Sequence, residues 1–163
     1  GTIIELTGTP GAGPAIDRSA GFNEIMKQYP NITIKAQTAN FRRDDGMKVM
    51  EDFIMSTPQI DAVFGASDEM ILGAIQAIEA SGKFDVEEVV TVGFDALPEA
   101  LQLIEEGTLD ATIEQFPGRQ ASTAFEILVK YLRENVEPES KIMLIEPAVI
   151  TKDNLQEAEK SIQ

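Results

Sequence analysis

Short β-branched runs at 3–6, 32–38, 62–65, 89–94, 111–114 and 142–150 alternate along the chain with segments of helical period. The helical segments lie near 15–28, 43–56, 69–81, 97–106, 119–134 and 153–161. Ile71, Ala74, Ile75 and Ile78 form one apolar stripe, and Ala121, Ala124, Phe125, Leu128 and Leu132 another. Strand–helix alternation of this kind predicts an α/β fold, a three-layer parallel sheet with helices on both faces. Right-handed crossovers then bring the carboxyl end of every strand to one edge, and ligands of such sheets bind outside that edge. Pro147 demotes part of the last run to an edge or crossing segment. No internal repeat or flexible linker is visible, and 82–85 and 135–140 read as turn or loop.

Composition narrows the chemistry. The 163 residues fit one ordinary domain, and 43% hydrophobic with 25% charged residues is a globular mixture. A net charge of −15 makes nucleic acid and anionic membrane surfaces poor partners. There is no histidine and no cysteine, which removes imidazole acid–base work, thiol nucleophiles and most zinc sites. No cofactor, metal or catalytic residue is expected. No apolar run approaches the ~18 residues of a membrane span. The chain opens directly on a strand with no leader pattern, so further sequence upstream is expected.

The residues that follow each strand are the candidates for a site. After the first strand stands Gly8-Thr9-Pro10-Gly11-Ala12-Gly13-Pro14, whose glycines are spaced for neither a dinucleotide fold nor a phosphate loop. Arg18 follows, in line with Phe22, Ile25 and Tyr29 on the apolar side of its helix. It is either a cation snorkelling over the sheet edge or a fork of donors for ligand oxygens. Phe41 after the second strand is core or platform. Ser67 or Asp68 after the third is placed to cap the next helix. Phe94 and Asp95 end the fourth, and Asp95 needs donors there, from a ligand or from capping the next helix. Gln115 ends the fifth and could cap or bridge backbone. Taken together, these residues put carboxylate, guanidinium, amide and aromatic groups at one edge. Such a set suits a small polyhydroxylated ligand.

Four stretches carry a family resemblance: Gly8-Thr9-Pro10-Gly11 with Arg18-Ser19-Ala20-Gly21-Phe22; Ala66-Ser67-Asp68-Glu69-Met70 with Leu72-Gly73-Ala74; Val92-Gly93-Phe94-Asp95; and Ala111-Thr112-Ile113-Glu114-Gln115-Phe116-Pro117. The closing 149–155 stretch matches as well. In order and spacing the chain resembles the carboxy-terminal lobe of the type I periplasmic sugar-binding proteins, and most closely their ribose-binding branch. The resemblance implies sugar contacts from Arg18, Phe41, Phe94, Asp95 and Gln115. Ser67 stands where the ribose-type pattern has Asn, which leaves the identity of the sugar open.

The resemblance also implies a two-lobed receptor that closes on its ligand without catalysis. Its site would be completed by an amino-terminal lobe that is not in this chain. Partners would be a small sugar and an ABC permease or chemoreceptor, and the protein would be exported to the periplasm or cell surface. On this reading 1–116 and 147–163 form the lobe, and 117–146 belongs to the missing one. The helix at 119–134 would then lack its usual sheet, and it is expected to fold back or to self-associate with another copy. The alternative is the effector-binding domain of a lactose-repressor-type regulator or sensor, which shares the architecture. A receiver or hydrolase is disfavoured, because no acidic residue lies in 7–13 and no Gly-x-Ser-x-Gly occurs.

Overall fold

The computed structural model describes residues 1–159. Strands β1 (Thr2–Thr7), β2 (Thr33–Thr38), β3 (Ala62–Gly65) and β4 (Val90–Val92) form a parallel sheet in the order β2-β1-β3-β4. Helices α1 (Gly13–Met26), α2 (Arg43–Ser56), α3 (Asp68–Ser81) and α4 (Pro98–Glu106) provide the connections, and α5 (Pro117–Glu134) follows β5 (Thr112–Glu114). A single parallel bridge from Val92 to Ala111 attaches the β5 region to β4. β5 then pairs antiparallel with β6 (Ala148–Ile150). The sheet is therefore mostly parallel, with an antiparallel edge.

Two expectations from the sequence need correction here. Of the run at 142–150, only the three residues after Pro147 are extended, because proline cannot donate to a ladder. The helix expected near 153–161 shortens to one 3₁₀ turn, Leu155–Glu157, and residues 160–161 lie outside the described part. There Asn154 accepts a bond from the Thr151 backbone and donates to the Val149 carbonyl, so its side chain replaces helix hydrogen bonds.

Alternation along the strands separates the two sheet faces. Ile4, Leu6 and Val63 are buried against α2 and α3, and Ala100 and Ile104 of α4 join that core. α2 and α3 pack closely through glycines. A Cβ on Gly46 would strike the Met70 backbone, and one on Gly73 the Arg43 carbonyl. The opposite face carries Ile3, Ala62, Phe64, Val90 and Val92, and there α1 lies with Phe22 stacked on Phe64 at 4.7 Å. Helices do occupy both faces, but α1 leaves part of the second one uncovered. An apolar trough of about 840 Å³ runs between α1 and the outward rows of β3 and β4.

The segment from 117 to 146 contains no buried residue. Its start is fixed: Phe116 is buried with φ +55°, and Arg119 lies 4.2 Å over its ring. The Glu159 carboxylate accepts from the backbone N–H groups of Gly118 and Arg119. The fold-back expected as one option does not occur. Phe125 and Leu132 on the apolar stripe are each 70% exposed.

Candidate functional site

The strand ends converge as the topology requires. α1 is pinned to the sheet by buried Glu5, which accepts from the Ser19 hydroxyl at 2.6 Å and the Asn23 amide at 2.9 Å. That anchor fixes the rotation of α1, so that Arg18, one residue before Ser19, reaches across the sheet end. Its Nη1 donates to the Ala66 carbonyl at 2.7 Å and its Nη2 to Asp95 Oδ1 at 3.0 Å. The guanidinium lies 3.8 Å from the Phe94 ring centroid and 5.8 Å from that of Phe41. The same Asp95 oxygen accepts from Gln115 Nε2 at 2.9 Å. Arg18, Asp95 and Gln115 thus form one hydrogen-bonded cluster. Arg18 is not a snorkelling surface cation, for 13% of its side chain is exposed and both guanidinium ends are engaged.

A cleft of about 270 Å³ opens beside this cluster, lined by Pro14, Arg18, Phe41, Ser67, Glu69 and Asp95. That is slightly below the roughly 300–1,000 Å³ of a complete small-molecule pocket. Phe41 lines the cleft and also packs on the core cluster. Phe41 adopts φ +59°, and its ring lies where a Cβ on Gly8 would be. The glycine of the first loop therefore serves to admit an aromatic ring, not a phosphate. Phe94 and Gln115 line the apolar trough rather than the cleft. Phe94 contributes by stacking beneath Arg18, and Gln115 by holding Asp95.

The α3 cap expected of Ser67 or Asp68 is not made by the Ser67 side chain. Ser67 occupies the N-cap position of α3 without a side-chain cap bond. Its hydroxyl is buried and makes no hydrogen bond among the described residues. Asp95 accepts from Arg18 and Gln115. Asp68 accepts from the Leu97 N–H at the start of α4, at 2.7 Å, and from the Thr112 hydroxyl at 2.7 Å. Asp68 is fully buried, and desolvation pushes its carboxyl above the usual range despite the opposing Leu97 and Thr112 bonds; the nearby Asp95 charge adds to the rise. Asp95, at the unusual φ of +112°, meets Arg18 at the cleft.

Glu69 and Pro14 were not singled out by the sequence as cleft residues. Glu69 is held by Arg43 at 3.1 Å, and Arg43 also holds Glu99 at 2.7 Å, tying the starts of α2, α3 and α4 together. The partners are 26 and 56 positions from Arg43, so no local spacing signals the cluster. Among the described residues no group of three or more His, Cys, Asp or Glu is disposed to hold a metal ion, and no helix is long and apolar enough to cross a membrane.

Residues 1–135 match the periplasmic binding protein domain. The chain belongs to the periplasmic binding protein family. It is 36% identical over 159 residues to the galactofuranose-binding protein YtfQ of Escherichia coli K12, covering 95% of this chain and 49% of that protein. It is 41% identical over 115 residues to the ribose import binding protein RbsB of Bacillus subtilis 168, covering 71% of this chain and 36% of the relative. Among solved structures, the Caulobacter myo-inositol binding protein bound to myo-inositol superposes with a TM-score of 0.86 at 33% identity, over 98% of this chain and 54% of that one. The chain thus spans about half the length of the binding proteins it matches.

Proposed function

We propose that the chain is the ligand-gripping lobe of an exported sugar-binding receptor serving an ABC-type import system, acting by closure without catalysis. The observation that carries this reading is the convergence of Arg18, Asp95 and Gln115 on one hydrogen-bonded cluster beside a Ser67 hydroxyl that has no hydrogen-bond partner among the described residues. Charged and amide groups held rigid in this way form strong, directional bonds to sugar hydroxyls. Phe41 supplies an aromatic wall for the C–H face of a ring. Ser67 is free to bond a ligand oxygen, which would satisfy an otherwise costly buried hydroxyl. Phe94 and Gln115 act by orienting Arg18 and Asp95.

The relatives' ligands, namely galactofuranose, ribose and myo-inositol, support a small neutral sugar or polyol as the guest. The named relatives are sugar-binding or import proteins, which favours this reading over a repressor effector domain. A second lobe completes the site, and closing on the sugar stabilises the form that a permease or chemoreceptor recognises. On this reading the periplasm or the cell surface is the site of action. On this reading the exposed segment 117–146 belongs to that second lobe and 1–116 with 147–163 to the first, residues 160–163 lying outside the described part.

Half of a micromolar site, about −8 kcal/mol in total, leaves millimolar affinity. Calorimetric titration of this chain with a panel of neutral aldoses and inositols should give millimolar binding for at least one, weakened tenfold or more by Asp95→Asn. Micromolar binding would contradict the half-site reading. Binding unaffected by Asp95→Asn would contradict the residue assignment.

A further inference from the structure

The turn at 93–97 that carries Asp95 has a backbone that residues with a Cβ rarely adopt. Asp95 stands at φ +112° and Ala96 beside it at φ +48°. Two such neighbours persist only where their surroundings hold them.

Asp68, at the start of α3, grips that turn at both sides of Asp95. Its backbone N–H donates to the Phe94 carbonyl at 2.7 Å. Its Oδ2 accepts from the Leu97 N–H at 2.7 Å. Its Oδ1 accepts from the Thr112 hydroxyl at 2.7 Å, and the same Thr112 oxygen accepts from the Ala96 N–H at 3.3 Å. Residues 94, 96 and 97 are thus tied to Asp68, directly or through one hydroxyl. Asp68 and Thr112 are fully buried, where polar groups are costly unless their bonds are made, and these bonds converge on one turn. Gly93 serves the same approach. Its φ is not in the left-handed region, yet a Cβ there would run into the Asp68 carboxylate and the Ile71 side chain. The missing side chain gives the carboxylate room beneath the turn.

We infer that Asp68, acting with Thr112, is a positioning residue of the site, setting the place of the Asp95 carboxylate through the backbone of 94–97. It does not line the cleft; Asp95 does, and Asp95 Oδ1 takes the bonds from Arg18 and Gln115. That Asp95 meets a sugar rests on the function proposed above. That Asp68 places Asp95 does not, and the two are tested separately. An Asp68 with a merely structural role would change stability and leave Asp95 Oδ1 where it is.

The Gln115 side-chain amide, bonded to Asp95 Oδ1 at 2.9 Å, reports the place of that oxygen without any ligand. In nitrogen–proton correlation spectra of the full 163-residue chain, Asp95→Ala supplies the signal of the released amide. Asp68→Ala should move the Gln115 amide toward that released signal. It should also weaken binding of two probes, ribose and myo-inositol, by roughly tenfold. Asp68→Asn keeps an acceptor for the Leu97 N–H and a polar group for Thr112, and it should restore both. Thr112→Val, nearly unchanged in size, should move the amide in the same direction, and it decides the matter if circular dichroism shows Asp68→Ala unfolded. A Gln115 amide that keeps its native signal in the deciding variant, or that Asp68→Asn fails to restore, would overturn the proposal. Failure of the native chain to bind either probe would count against the sugar reading alone, since the amide still reports the place of Asp95.

Discussion

Arg18 and Asp95 stand 77 positions apart and meet at 3.0 Å, with 13% and 30% of their side chains exposed. The contact joins the first helix to the end of the fourth strand, and Phe94 and Ala66 hold the guanidinium from two further directions. A pair this sheltered keeps its geometry before a ligand arrives, which lowers the ordering cost of binding.

Arg18→Met should therefore weaken ligand affinity by roughly ten- to a hundredfold, the worth of one charge-assisted hydrogen bond or slightly more. Arg18→Lys should not restore it. An ammonium cannot stack on Phe94 and serve both acceptors in one plane. Titration beside circular dichroism separates lost binding from lost fold.

Gly8 is expected to matter through Phe41. In Gly8→Ala the new methyl would occupy the position of the Phe41 ring, so the ring must leave and the cleft loses its aromatic wall. Overpacking of this kind costs about 1–3 kcal/mol. Thermal unfolding should show a lowered midpoint, and ligand affinity should fall with it. In Gly11→Ala, with φ +84° and no atoms nearby, any loss should come from backbone strain, with affinity retained.

Asp68 links stability to pH. Burial raises its folded-state carboxyl pKa above the ordinary 3.8. Between 3.8 and that raised value the folded state binds more protons than the unfolded state. Its contribution is therefore fully present below pH 3.8 and is lost as pH rises through the folded pKa. Asp68→Asn carries no such proton. Urea unfolding across an acid-to-neutral series should show wild-type stability falling relative to Asp68→Asn as pH rises. A difference that does not change with pH would refute the assignment.

Much of the fold is legible in the sequence because period and β-branching report burial directly. The α3 stripe of Ile71, Ala74, Ile75 and Ile78 is buried as its spacing predicts. The candidate edge is legible for the same reason, since topology puts Asp95 and Gln115 after strands and Arg18 in the helix that follows the first strand, without knowledge of contacts. What the sequence does not disclose is which side chain does which job. Asp68 and Asp95 are both carboxylates after a strand, and only the packed arrangement shows that Asp68 accepts from the Leu97 N–H and Asp95 from Arg18. Ser67 occupies the N-cap position of α3, yet its hydroxyl makes no cap bond. Arg43 with Glu69 and Glu99 leaves no local trace either, for it joins three helices through tertiary contact alone. The strand at 142–150 is overestimated because apolar content in an exposed arm imitates a buried strand.

The most direct test of the account is a nitrogen–proton correlation spectrum of the 163-residue chain, titrated with neutral sugars and polyols to saturation. The account predicts saturable shifts that map to Arg18, Phe41, Ser67, Asp95 and Gln115 and that disappear in Asp95→Asn. Saturable shifts confined to other surfaces, or none for any sugar in the panel, would contradict it.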